Sequence, residues 1–124
     1  MATVLVVEDN PANMTLATFL LKSAGYEVLS AADAEAGLAL ARAEQPDLIL
    51  MDIQLPGIDG LQAISVLKQD AATRDIPVIA LTALAMKGDE ERIRAAGCDG
   101  YIAKPLAYRD FLAVISAQLV TAPA

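Results

Sequence analysis

The chain has no histidine and a single cysteine, Cys98. A lone thiol closes no internal disulfide, and without an imidazole beside it Cys98 is not a nucleophile of the Cys/His kind. It is expected to be a small core residue in a reducing compartment. Basic residues are scarce as well. Nine Lys and Arg stand against sixteen Asp and Glu, a formal net charge of −7, which argues against a nucleic-acid surface because phosphate binding needs a basic face. Hydrophobic residues make up 56% of the 124 positions, yet no apolar run approaches the roughly 18 residues that would span a bilayer. Nor is there a basic leader with a cleavage site, since Met1-Ala2-Thr3 leads straight into Val4-Leu5-Val6-Val7. These absences predict a cytoplasmic protein whose partners are other proteins and a divalent cation, with no nucleic acid and no membrane. The length predicts one domain over residues 1–124, with no output domain.

What the sequence does hold is a series of short apolar runs that end in polar groups. The central one is Asp47-Leu48-Ile49-Leu50-Met51-Asp52. Four apolar residues are too few for a helix and read as a strand buried on both faces. Asp52 stands at its exit, where such a strand is expected to meet water first. Val4 to Val7 is a second buried strand, ending in Glu8-Asp9. Tyr26 to Ala31 is a weaker strand, broken by polar residues as at a sheet edge. Val78 to Leu81 ends in Thr82, and Tyr101 to Ala103 ends in Lys104-Pro105.

Between the strands lie helical signals. Asn10-Pro11 caps a first helix that stops at Gly25. Asp33 caps a second, running to about Ala43 and broken by Gln45-Pro46. A third covers about Leu61 to Gln69, after a loop from Ile53 to Gly60 with Pro-Gly and Asp-Gly turn signals. A polar fourth helix follows Lys87 and stops at Gly97. A fifth carries Phe111, Leu112, Ile115 and Leu119, and residues 121–124 form a frayed tail. Alternating strands and helices with short connections predict an α/β doubly wound parallel sheet of five strands, order 2-1-3-4-5, with five helices. That order gathers the ends carrying Glu8, Asp9, Asp52, Thr82 and Lys104 along one edge.

Three carboxylates at one crevice repel one another unless a cation intervenes. Mg²⁺ takes one or two carboxylates plus other oxygens. Asp9 and Asp52 suit direct ligation, the backbone carbonyl of Gln54 completes the protein set, and Glu8 acts through a bound water; Mn²⁺ is a possible substitute. A carboxylate is also a nucleophile toward phosphorus. Asp52, the one acid at the end of the central buried strand, is the expected phosphoacceptor, with the Lys104 ammonium and the Thr82 hydroxyl compensating charge on the transferred group.

Glu8-Asp9, the Asp52 strand with Leu55-Pro56-Gly57-Ile58-Asp59-Gly60, Thr82-Ala83 and Lys104-Pro105 together resemble the receiver domain of bacterial two-component response regulators. The resemblance spans the chain in order and spacing. It implies phosphotransfer to Asp52 from a phosphohistidine of a sensor kinase or histidine phosphotransfer protein, a requirement for Mg²⁺, and Thr82 with Tyr101 as a switch pair. Met51 to Pro56 and Ala85 to Arg92 are similar to single-domain cell-cycle regulators of the DivK kind, and also to receivers of hybrid histidine kinases. Glu8 departs from the commoner Asp at its position. The expected output is a change in binding to a downstream protein target, read on the surface from Lys87 to Ala96 with Tyr101 and Tyr108. As a regulator it is expected to be no enzyme beyond assisting its own phosphorylation and dephosphorylation.

Three rival readings are weaker. A flavodoxin-like carrier needs hydroxyls and amides where this chain has Glu8-Asp9-Asn10-Pro11. A phosphatase with Asp52 as nucleophile lacks a second acid at Gln54. A binding domain with an inert pocket leaves the strand-end groups without a role.

Overall fold

Alternation along the strands divides the core into two faces. Leu5, Val7, Ile49, Met51, Val78 and Ala80 form one buried cluster, and Val4, Val6, Leu48, Leu50, Ile79, Leu81 and Ile102 form the other. Each strand must therefore be covered on both sides, which is why the runs are continuously apolar rather than alternating. The computed structural model describes residues 2–53, 60–82, 91, 94–103 and 108–121. In chain order these form β1 (Thr3–Val7), α1 (Pro11–Ser23), β2 (Glu27–Ala31), α2 (Ala34–Glu44), β3 (Leu48–Asp52), α3 (Gly60–Gln69), β4 (Val78–Thr82), β5 (Gly100–Ala103) and α4 (Tyr108–Thr121).

All neighbouring strands are parallel, and the sheet order is β2-β1-β3-β4-β5, as the sequence predicts. Ala34 and Ala41 of α2 and Ala63, Ile64 and Leu67 of α3 cover the first face; Ala17, Leu20 and Leu21 of α1 and Phe111 and Ile115 of α4 cover the second. All five residues of β3 are buried, consistent with its central place.

The helix ends follow from local chemistry. The Asn10 Oδ1 accepts from the amides of Ala12 at 2.9 Å and Asn13 at 3.1 Å, satisfying first-turn donors that no helical carbonyl reaches. At the other end Tyr26 N donates to Leu21 O and Gly25 N to Lys22 O, both at 3.0 Å, with Gly25 at φ 92. This paired closure needs a left-handed residue, hence the glycine. It also explains why β2 starts at Glu27 and not at Tyr26, whose amide is spent on the helix. Asp33 Oδ1 accepts from Ala36 N at 2.8 Å, and Gln45 adopts φ 49 to end α2 before Pro46.

Four helices stand among the described residues where five were expected. Residues 83–90, 92 and 93, which carry most of the expected fourth helix, lie outside them; Glu91, Arg94 and Ala95 are helical.

Candidate functional site

Register, more than any loop, builds the acidic cluster. β1 and β3 are adjacent and parallel, with Val6 opposite Leu50 and Val7 opposite Met51. One step further along both strands stand Glu8 and Asp52, in the same phase as Val4, Val6, Leu48 and Leu50 and so toward the same face. The Glu8 amide remains tied to Ala31 O at 3.0 Å, and the amide after Asp52, that of Ile53, to Leu81 O at 3.1 Å. The backbones that carry the two acids are thus held from both sides of the sheet.

Glu8 and Asp52 are each only 2% exposed. This corrects the expectation that Asp52 meets water on leaving the sheet. Ladder bonding continues past it, and the first residue of α3 lies against its carbonyl. Asp9 is the exposed member of the group. One carboxylate oxygen from each of Glu8, Asp9 and Asp52 lies within 4.8 Å of the others. At that separation two ionised carboxylates repel by at least about 3 kcal/mol at an effective dielectric near 20. An all-oxygen set of this density fits a hard divalent cation and does not suit a soft thiophilic one.

Against the Asp52 main chain lies Gly60, the first residue of α3. A Cβ on Gly60 would run into the Asp52 carbonyl oxygen and the Ile53 Cα, and would sit 2.8 Å from the Asp52 carbonyl carbon. The Gly60 amide donates to Ile53 O at 3.3 Å. Sequence reading takes Gly60 only as a turn signal; in the structure the helix starts on it, with its main chain against the strand.

The other expected site residues are placed unevenly. Thr82 closes β4, paired with Ala103, and Tyr101 pairs with Ala80 two residues before it. Tyr101 is half-buried and packs against the α2/α3 side of the core. Lys104, which follows Ala103, and Gln54, which follows Ile53, lie outside the described residues, as does Lys87. Of the expected partner surface, Glu91, Arg94 and Ala95 are exposed. Cys98 is half-buried and not fully in the core. It lines a groove of about 240 Å³ with Arg94, Asp99, Gly100 and Tyr101, and burial, the largest cause, pushes its thiol up from the usual value.

A second polar assembly, which no motif announces, sits at the opposite end of the sheet. The Lys68 ammonium donates to Asp99 Oδ2 at 2.8 Å, Ile76 O at 3.0 Å and Arg74 O at 3.4 Å, using all three of its donors. Asp99 Oδ2 also accepts from Val78 N at 2.8 Å, and its own amide donates to Val78 O at 2.8 Å. It ties α3 to the foot of β4 and β5. Elsewhere on the surface, Leu16 and Phe19 of α1 are exposed, Phe19 at 65%. No helix among the described residues is long and apolar enough to cross a membrane.

Residues 4–116 match the family model described as the response regulator receiver domain. The polar-differentiation response regulators DivK of Brucella anthropi and Brucella ovis are each 51% identical over 116 residues, covering 94% of this chain and 94% of theirs. Among solved structures, the receiver domain of the sensor histidine kinase PA1611 of Pseudomonas aeruginosa, with a magnesium ion coordinated in its active-site cleft, superposes with a TM-score of 0.90 at 36% identity, covering 97% of this chain and 98% of that one. A CheY-like response regulator receiver domain protein from Methanospirillum hungatei gives a TM-score of 0.89 at 32% identity, covering 97% and 94%.

Proposed function

The chain belongs to the response regulator receiver domain family, and from that premise we propose that Asp52 is its phosphoacceptor. An Asp52 carboxylate oxygen attacks the phosphorus of a phosphohistidine on a sensor kinase or histidine phosphotransfer protein. The phosphorus–nitrogen bond breaks, the imidazole leaves, and an acyl phosphate remains on Asp52. The observation that carries the reading is the meeting of Glu8, Asp9 and Asp52 within 4.8 Å at the ends of adjacent strands.

Asp9, Asp52 and the backbone carbonyl of Gln54 would hold Mg²⁺, with Glu8 reaching it through water, and the ion when bound would neutralise the carboxylates and the charge on the phosphoryl oxygens. Lys104 and Thr82 supply a cation and a donor to those oxygens. Phosphorylation brings new negative charge, which draws the Thr82 hydroxyl and lets Tyr101 repack beside Ala80; a downstream protein reads the change on the surface around Arg94 and Tyr101. The chain works as a cytoplasmic relay or regulator, turning over no substrate other than its own phosphoryl group. Incubation with a small acyl phosphate and Mg²⁺ tests this. The wild type is expected to gain the mass of one phosphoryl group and to lose the gain when the metal is chelated. Persistence of the gain in Asp52→Asn contradicts the assignment.

A further inference from the structure

We propose that Gly60 is a positioning residue for Asp52: only a residue without a Cβ lets α3 start against the Asp52 carbonyl, and that contact fixes how Asp52 presents its carboxylate to Glu8 and Asp9. The proposal rests on Asp52 being the phosphoacceptor. Positive φ among the glycines is confined to Gly25 and Gly97 within the described residues, so Gly60 is required for space and not for a left-handed backbone. The space is taken by main chain, which cannot rotate away as a side-chain tip can: a Cβ would overlap the Asp52 carbonyl oxygen and the Ile53 Cα.

Neither partner can retreat. β3 is held where Asp52 pairs with Leu81 and Ile53 N donates to Leu81 O at 3.1 Å. α3 is held by Ala63, Ile64 and Leu67, all buried in the core. The overlap therefore falls on the peptide between Asp52 and Ile53, and tilting that peptide turns the Cα from which the carboxylate projects. The bond from Gly60 N to Ile53 O, at 3.3 Å, closes the same joint.

The test compares Gly60→Ala with Ile64→Val, which loosens α3 at a buried core position, by calorimetric titration with Mg²⁺ and by the rate of modification by a small acyl phosphate. Gly60→Ala is expected to bind Mg²⁺ about 10- to 100-fold more weakly, as for lost support behind a metal ligand, and to be modified up to about a hundredfold more slowly. Ile64→Val is expected to match the wild type in both. Wild-type Mg²⁺ affinity and rate in a folded Gly60→Ala would overturn the proposal, as would equal losses in Ile64→Val. In the wild type, where no variant has to fold, Mg²⁺ is expected to shift the Gly60 amide resonance and leave that of Gly25 in place; an unmoved Gly60 amide also overturns it. A wild type that binds no Mg²⁺ and takes no phosphoryl group would instead defeat the reading of Asp52.

Discussion

At the scale of single residues, the cluster opposes its own formation. Glu8 and Asp52 are buried beside one another with Asp9 at hand, and like charges at this range destabilise the folded state. Asp52→Asn is therefore expected to raise the thermal unfolding midpoint in metal-free buffer while abolishing modification by an acyl phosphate; calorimetry and intact mass check the two halves. A lower midpoint would mean that the carboxylate is held by favourable partners that outweigh the repulsion. Asp70 behaves in the opposite sense. The Ala72 amide at 2.9 Å, and then the Arg42 guanidinium at 2.6 Å, hold its carboxyl below the ordinary value. A lowered folded-state pKa gives stability that is present above the usual carboxylate range and is lost as pH falls through the folded value. Asp70→Asn is expected to be less stable than the wild type at neutral pH, with the gap closing in acid; a gap independent of pH in denaturant titrations would contradict this. Identity of the acids was legible in the sequence because each follows a continuous apolar run. The close approach of α3 to the Asp52 main chain was not, because it depends on Gly60, seven positions beyond Ile53 in the chain, returning to meet the strand.

At the scale of elements, ends were more legible than joints. Asn10-Pro11, Gly25, Asp33 and Gln45-Pro46 act through bonds to residues a few positions away, so their chemistry can be read from the local sequence. Asp33→Ala is expected to cost about 1 kcal/mol by removing the acceptor for Ala36 N, measurable by urea unfolding. Phe111 of α4 is fully buried against the α1 side of the sheet, and Phe111→Ala is expected to cost about 3–5 kcal/mol in the same experiment. The Lys68–Asp99 assembly joins positions far apart in the chain, with Lys68 19% exposed at the end of α3. Nothing in the local pattern separates that lysine from a solvated one. Cys98 shows the same difficulty: its neighbours predict burial, and the groove that leaves it half-exposed is set by Tyr101 and Arg94.

At the scale of the molecule, the sheet order places the chemistry. The chain winds outward from β1 to β2 and then crosses to β3 and onward in the other direction, so the strand ends of β1 and β3 open onto the point where the winding reverses. Crevices form at that point in sheets of this kind, and Glu8, Asp9 and Asp52 occupy it. The order was legible from alternation and short connections; register was not, although register alone makes Glu8 and Asp52 neighbours. A cation bound only by the folded chain stabilises it by mass action, about 2.7 kcal/mol at a hundred times the dissociation constant. Mg²⁺ is thus expected to raise the unfolding midpoint of the wild type and not that of Asp52→Asn, and equal responses would place the ion elsewhere. The central claim, that Asp52 carries the phosphoryl group, is tested most directly by locating the modified residue by peptide mass mapping after treatment with a small acyl phosphate and Mg²⁺. The expected result is an acyl phosphate on the peptide holding Asp52 and on no other; modification at Asp9 or Glu8, with Asp52 unmodified, would contradict it.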